Sequence, residues 1–415
     1  MPAPLPRVAA APSVPAPLLR VAAALLVVGM IVGVGTPAAA APVLPEDSPG
    51  CLQAPQSVET GIPWPQSRLG AERAWPLTRG DGVTVAIVDT GIGADSPQLR
   101  GRVMRGVDLT KGGSPRADND CFGHGTFIAG IIGAAPAAGT GFTGVAPGVR
   151  LLPVRVANSM EDGTAGLLAK GVRAAVDAGA DVVNISASTS SPEASLVAAI
   201  RYAEEKDVVV VAAAANGAQQ AKTVAYPAAL PTVLAVGAID ASGALADFSQ
   251  QGKHLGLTAP GVDVVSVGPG GPGHWQGSGT SYAVPFVVGV AALVRAYRPK
   301  LTAAEVRHRL IATSDHPALA LPDPGFGWGV VNPSAAVSSV LPEEDGTGGV
   351  AAPLTAVRPD LPPPDPIGPT VAALGAGLAI VLIGMVCLLT VLMPAGHRRG
   401  WRPARVAEVR RSPPP

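Results

Sequence analysis

The sequence predicts an α/β domain built on a mostly parallel sheet with helices on both faces, followed by one carboxy-terminal transmembrane helix. Three observations lead to this. Apolar, β-branched runs recur between helix-like segments, and repeated strand–helix alternation implies a parallel sheet covered on both sides. The runs are continuous rather than alternating, as in strands buried on both faces. Finally, residues 371–393 carry no charge over 23 positions, enough to cross a bilayer with some tilt.

Taken in order, residues 1–41 read as an export signal. Arg7 and Arg20 supply positive charge, residues 21–34 are apolar or glycine, and Ala38 to Ala41 offer small-residue cleavage sites. Residues 42–80 form a short amino-terminal extension. The main domain spans residues 81–340. It begins with the turn Asp81-Gly82 and a strand from Val83 to Val88 that ends at Asp89-Thr90-Gly91. Further strands are expected over 149–156, 181–186, 208–215 and 233–236, and helices over 164–178 and 192–205. The second of these helices takes Ser191 as N-cap and Pro192 as its first residue. A glycine-rich loop, 269–279, leads into a helix beginning near Ser281, with Pro285 in or near its first turn. Thr302 and Glu305 have the spacing of a capping box. A proline-rich linker, 341–370, joins the domain to the span, and residues 394–415 form an arginine-rich tail. Positive charge stays cytoplasmic, which places the domain outside the cell membrane and the carboxy terminus in the cytoplasm.

Formal net charge is zero and no basic stripe is interleaved with aromatics, which argues against a nucleic-acid partner. No cluster with metal-ligand spacing stands out, so no metal or cofactor is assigned. Of three cysteines, Cys387 falls inside the span, leaving Cys51 and Cys121 in an oxidising compartment. A bridge between them would stabilise the fold by roughly 4 kcal/mol on the chain-entropy model. Two free buried thiols are the alternative.

Three residues carry candidate chemistry. Asp89 sits at the carboxyl end of a strand, where open α/β sheets place function, although Asp before Gly is also a common turn former. His124 lies between Gly123 and Gly125 and opens a helix of small residues; the other five histidines fall in loops, a polar helix face or the tail. Ser281 lies at a helix amino end, where unpaired N–H groups favour developing negative charge. Serine is also an ordinary N-cap. An α/β-hydrolase esterase fits poorly, because Ala283 replaces the second glycine of a nucleophile elbow and His308 and His316 follow too closely.

In the order Asp…His…Ser, the blocks Asp89-Thr90-Gly91-Ile92, Gly123-His124-Gly125-Thr126 and Gly279-Thr280-Ser281-Tyr282-Ala283-Val284-Pro285 resemble those of subtilisin-like serine proteases. Gly144-Val145-Ala146-Pro147, Tyr226-Pro227-Ala228 and Ala259-Pro260-Gly261 extend the likeness across the domain. The resemblance implies that Ser281 is the nucleophile, His124 the general base, Asp89 its partner and Asn216 an oxyanion donor. It also implies that Ser186, Ala187 and Ser188, with Ala213, Ala214 and Ala215, flank the substrate cleft. Ser188 and Ala215 stand where glycines are common, which suggests a selective enzyme. The leading stretch Trp64 to Gly80, with the signal, linker and anchor, is similar to the mycosins, membrane-anchored proteases of type VII secretion. That likeness implies protein or peptide substrates and the secretion membrane complex as partners. A structural subunit that stabilises the complex, with dispensable proteolysis, is the alternative.

Overall fold

The computed structural model describes residues 41–45, 50–112, 116–159, 162–218, 224–342, 344, 374–386, 388 and 400. Of the expected export signal (residues 1–41) all but Ala41, and almost all of the expected linker and tail, lie outside the described residues.

Seven strands form one sheet: β1 (Thr84–Asp89), β2 (Val107–Asp108), β3 (Arg150–Arg155), β4 (Val182–Ile185), β5 (Val209–Ala213), β6 (Val233–Ile239) and β7 (Leu255–Pro260). Their spatial order is β2-β3-β1-β4-β5-β6-β7, and every neighbouring pair is parallel. Successive side chains point to opposite faces. Val85 and Ile87 of β1 join one core cluster, whereas Ala86 and Val88 join a second. Both faces are covered, so the strands are apolar over most of their length.

Two helices, α1 (Trp64–Leu69) and α2 (His124–Gly133), precede β3, and α3 (Ala165–Asp177) and α4 (Ala194–Glu205) flank β4. The second core cluster takes Leu168 and Val172 from α3, and Leu196 and Ile200 from α4. The first is built on α2 and on α5 (Thr280–Tyr297). Fifteen of the eighteen residues of α5 are buried. This helix is long and apolar enough to cross a membrane, but a helix apolar on all sides is equally at home in the centre of a domain, and that is where α5 lies. Outside the sheet, β8 (Val264–Val267) and β9 (His274–Gly277) pair antiparallel, and α6 (Ala303–Ala312) and α7 (Pro333–Ser338) follow α5. The Thr302–Glu305 capping box is complete at the start of α6. In a separate compact unit, Leu374–Val386 forms an apolar helix with exposed side chains.

Several expectations need correction. The helix expected from Pro192 starts at Ala194, with Glu193 as N-cap and no side-chain cap bond. Ser191 and Pro192 belong to the turn before it. The strand expected over 208–215 ends at Ala213, because Ala215 turns into the left-handed region at φ 82°. Four of the eleven residues of the expected glycine-rich loop, 269–279, form strand β9. His274, expected in a loop, is fully buried there.

The extension runs along this second sheet. Leu44 N–H donates to the Gln276 carbonyl and Gln276 N–H to the Pro42 carbonyl, each at 2.8 Å. Farther on, His274 N–H donates to Ser57 O (2.7 Å), and Glu59 N–H donates to His274 Nδ1 (3.1 Å). A ring that accepts at Nδ1 carries its proton on Nε2, which faces Gln98 Oε1 at 3.1 Å. Burial lowers the His274 pKa to about 4, so the ring is neutral in this role. Trp64 and Trp75 each donate an indole N–H to a main-chain carbonyl of the domain, at Val262 and Val145 (both 3.0 Å). Cys51 and Cys121 are joined in a disulfide across 70 positions. Replacing both by serine should reduce the unfolding free energy by about 4 kcal/mol. Denaturant titration of the two forms measures this, and coincident midpoints would show that the bridge adds no stability.

Candidate active site

The strand order reverses beside β1. The chain leaving β1 turns toward β3, whereas the chain leaving β4 turns the other way, toward β5. Such a reversal opens a crevice at the carboxyl ends of the strands. Asp89 is the last residue of β1, and Ser186 directly follows β4. Helices α2 and α5 pack against each other on one face of the sheet, and their first turns meet. The Tyr282 ring lies 5.5 Å from that of His124 and 4.6 Å from that of Phe127, centroid to centroid. Residues 35 and 157 positions apart in the chain are thereby brought to one cleft of about 200 Å³, lined by Asp89, His124, Asn216 and Ser281.

His124 Nδ1 lies 2.7 Å from Asp89 Oδ1, and both residues are almost wholly buried. A carboxylate only accepts, so Nδ1 bears the proton, and the neutral ring presents Nε2 as its acceptor. Asp89 Oδ1 also accepts Thr90 N–H at 2.8 Å. Burial disfavours the imidazolium, but the charge and hydrogen bond of Asp89, with a smaller contribution from the charge of Asp120, outweigh it and raise the His124 pKa above 6.5.

The start of α2 is held from two sides. Asp120 Oδ2 accepts the N–H (2.9 Å) and hydroxyl (2.6 Å) of Thr126, its Oδ1 accepts Gly123 N–H (2.9 Å), and Thr90 Oγ1 accepts Gly125 N–H (3.0 Å). Burial raises the Asp120 pKa despite those bonds. Gly125 must lack a side chain, because a Cβ there would stand 2.1 Å from Gly91 O. Sequence reasoning missed Asp120 and Thr90. The available signal was an acidic residue six positions before a threonine at a helix start, which is a capping arrangement.

Ser281 lies in the first turn of α5, but Pro285 does not; it is one turn farther in. Proline has no N–H to offer the carbonyl four residues back, so Ser281 O lacks its helical partner. Ser186 Oγ donates to it at 3.1 Å, and Asn184 Nδ2 donates to Ser186 Oγ at 3.0 Å. In return, Ser281 Oγ donates to the Ser186 carbonyl at 3.1 Å. Ser186 thus grips Ser281 at both side chain and main chain. Asn216 Oδ1 accepts both the N–H (2.8 Å) and the hydroxyl (2.9 Å) of Thr280, which fixes the amide and leaves Nδ2 as its donor.

Of the residues expected beside the cleft, Ser186, Ala187, Ser188, Ala213 and Ala215 line it. Ala214 does not: it is fully buried and packs into the second core cluster, while Ala213 faces the first. Among the described residues no group of three or more His, Cys, Asp or Glu is placed to hold a metal ion.

The Subtilase family model matches residues 80–329. Mycosin-3 of Mycobacterium tuberculosis is 34% identical over 412 residues, covering 85% of this chain and 88% of that protein. Subtilisin DY of Bacillus licheniformis is 37% identical, covering 68% of this chain and 99% of that one. Among solved structures, MycP1 from the ESX-1 type VII secretion system superposes with a TM-score of 0.63 at 32% identity, covering 75% of this chain and 96% of that one. MycP3 protease from the type VII (ESX-3) system gives 0.60 at 34% identity, over 70% and 91%.

The buried pair has a testable titration. A folded-state pKa above 6.5 means that protonated His124 contributes stability below pH 6.5, and that this contribution is lost as pH rises through the folded value. Nuclear magnetic resonance should show His124 titrating above 6.5 and His274 near 4. In Asp89→Asn, burial should prevail and His124 should titrate below its ordinary value. An unmoved His124 in that variant would refute the electrostatic account.

Proposed function

The chain belongs to the subtilase family of serine proteases and is related to the mycosins, and we propose that it is a selective, membrane-anchored endopeptidase working beside a type VII secretion complex. One observation carries the catalytic reading: the 2.7 Å contact between buried His124 and Asp89 in the cleft that Ser281 lines. In this reading Ser281 Oγ exchanges its bond to the Ser186 carbonyl for one to His124 Nε2. It then attacks the scissile carbonyl while the ring takes its proton. Asp89 stabilises the imidazolium so formed. Asn216 Nδ2 and the Ser281 N–H, at the amino end of α5, would bind the oxyanion. His124 next protonates the leaving amine, and water, deprotonated by the same ring, releases the acyl group.

Selectivity is supported by the cleft walls. Ala215 keeps a side chain at φ 82°, a conformation costly for any residue but glycine. With Ser188 it adds atoms to the space beside the nucleophile. The stretch from Ser186 to Ser188 would pair with an extended substrate as an added strand. Anchoring is supported by the uncharged stretch 371–393 with its arginine-rich flank, and by the exposed apolar helix Leu374–Val386 within it. The secretion complex is suggested by relatives named for it. The extension, tied by hydrogen bonds and a disulfide, reads as a permanent strap rather than a removable inhibitor.

A fluorophosphonate probe should label the exported domain, with its strap still attached, at Ser281. Ser281→Ala should abolish both labelling and substrate processing; a probe that leaves the parent unlabelled defeats the catalytic reading. Secretion that continues undiminished in the Ser281→Ala strain would shift the essential role from cutting to scaffolding. Asn216→Ala should lower kcat by roughly 10²–10³ while leaving KM nearly constant; equal turnover in the two forms would remove Asn216 from the oxyanion site.

A further inference from the structure

We propose that Arg155 is a positioning residue, whose single buried guanidinium fixes the segment leaving Asp89 against the segment arriving at His124 and so sets the contact between them. Arg155 is the last residue of β3 and lies in register with Asp89, the last residue of β1. It is 6% exposed. Its Nε donates to the carbonyl of Thr90 at 2.8 Å, one residue after Asp89. Its Nη2 donates to the side chain of Asn119 at 2.7 Å and also to that residue's carbonyl, one residue before Asp120. The remaining arm, Nη1, meets Asp108 Oδ2 at 2.7 Å.

The two segments are built to admit this group. Gly91 has φ 106°, and a Cβ there would stand 2.6 Å from Arg155 Nη2 and 2.4 Å from Asn119 O. The same segments run side by side beyond the clamp, where Ile92 N–H donates to Ala117 O and Ala94 N–H to Asp118 O. Through Asn119 the clamp reaches Asp120, which caps the helix bearing His124. It therefore acts on both ends of the Asp89–His124 contact.

A buried ion pair is a poor way to obtain stability alone. Desolvating both charges offsets most of their attraction, and apolar pairs of similar volume often serve better. Asp108, 2% exposed, is the counter-ion: burial opposes its charge, but bonds from Thr110 and Arg155 hold its pKa below the usual carboxylate value. What the guanidinium supplies is geometry, a rigid fork that donates in three directions, which a lysine ammonium lacks. Displacing a catalytic group by about 1 Å can cost roughly 10²-fold in rate.

This assignment rests on the catalytic reading of Asp89, His124 and Ser281, and the test keeps the two apart. Arg155→Lys retains the charge facing Asp108 but cannot span both segments. With active sites counted by fluorophosphonate titration, its kcat per site should fall about 10–100-fold with KM little changed. The low-field proton resonance of His124 Nδ1 should broaden or shift. Asn119→Ala, at an exposed position, removes one contact only; its per-site kcat should fall about 2–5-fold with Tm unchanged, and it decides the matter should the lysine variant not fold. Per-site kcat equal to the parent's in the folded variants would overturn the clamp while leaving the catalytic reading intact. A parent that the probe does not label would overturn both.

Discussion

The contact between Asp89 and His124 is the constraint to which the rest of the domain answers. A carboxylate and an imidazole sit 2.7 Å apart with almost no access to water. Such a pair is costly to bury unless further hydrogen bonds satisfy it. The Thr90 N–H bond to Asp89 supplies part of that satisfaction. The parallel sheet supplies the rest of the geometry by ending β1 at the point where its neighbours diverge. A helix must then begin at His124, and its opening turn is pinned by Asp120 and Thr90 rather than by a residue at its own N-cap.

Much of this was legible along the chain because it depends on local pattern. Strands buried on both faces are apolar over most of their length, so β1, β4 and β5 announced themselves despite Asn184 within β4. The capping box at Thr302 is local chemistry, and the three blocks around Asp89, His124 and Ser281 are dense in residues that only a tight approach requires. What stayed hidden depends on partners distant in sequence. His274 reads as a loop residue until the extension, more than 200 positions earlier, lies alongside it. Arg155 reads as the charged end of a strand until the segments around Thr90 and Asn119 fold about it. Pro192 reads as a helix start, yet the turn before α4 claims it, and boundaries of this kind move by a residue or two on small energy differences.

The extension and the domain are less separable than a division by residue number implies. Leu44 and Leu52 belong to the core cluster of α2 and α5, and the strap adds hydrogen bonds along β9. The disulfide that holds it joins Cys121, three positions from His124. The strap is thus fastened to the same short segment that Asp120 uses to cap α2.

Pro285 has an effect beyond its own turn of α5. By withholding one amide it leaves Ser281 O to Ser186, so the wall along which a peptide would lie and the atom that would cut it are mechanically one piece. In the proposed mechanism, a shift of that wall would reach the Ser281 hydroxyl through these two direct hydrogen bonds. Seating of the chain to be cut and aiming of the group that cuts it then cease to be independent events.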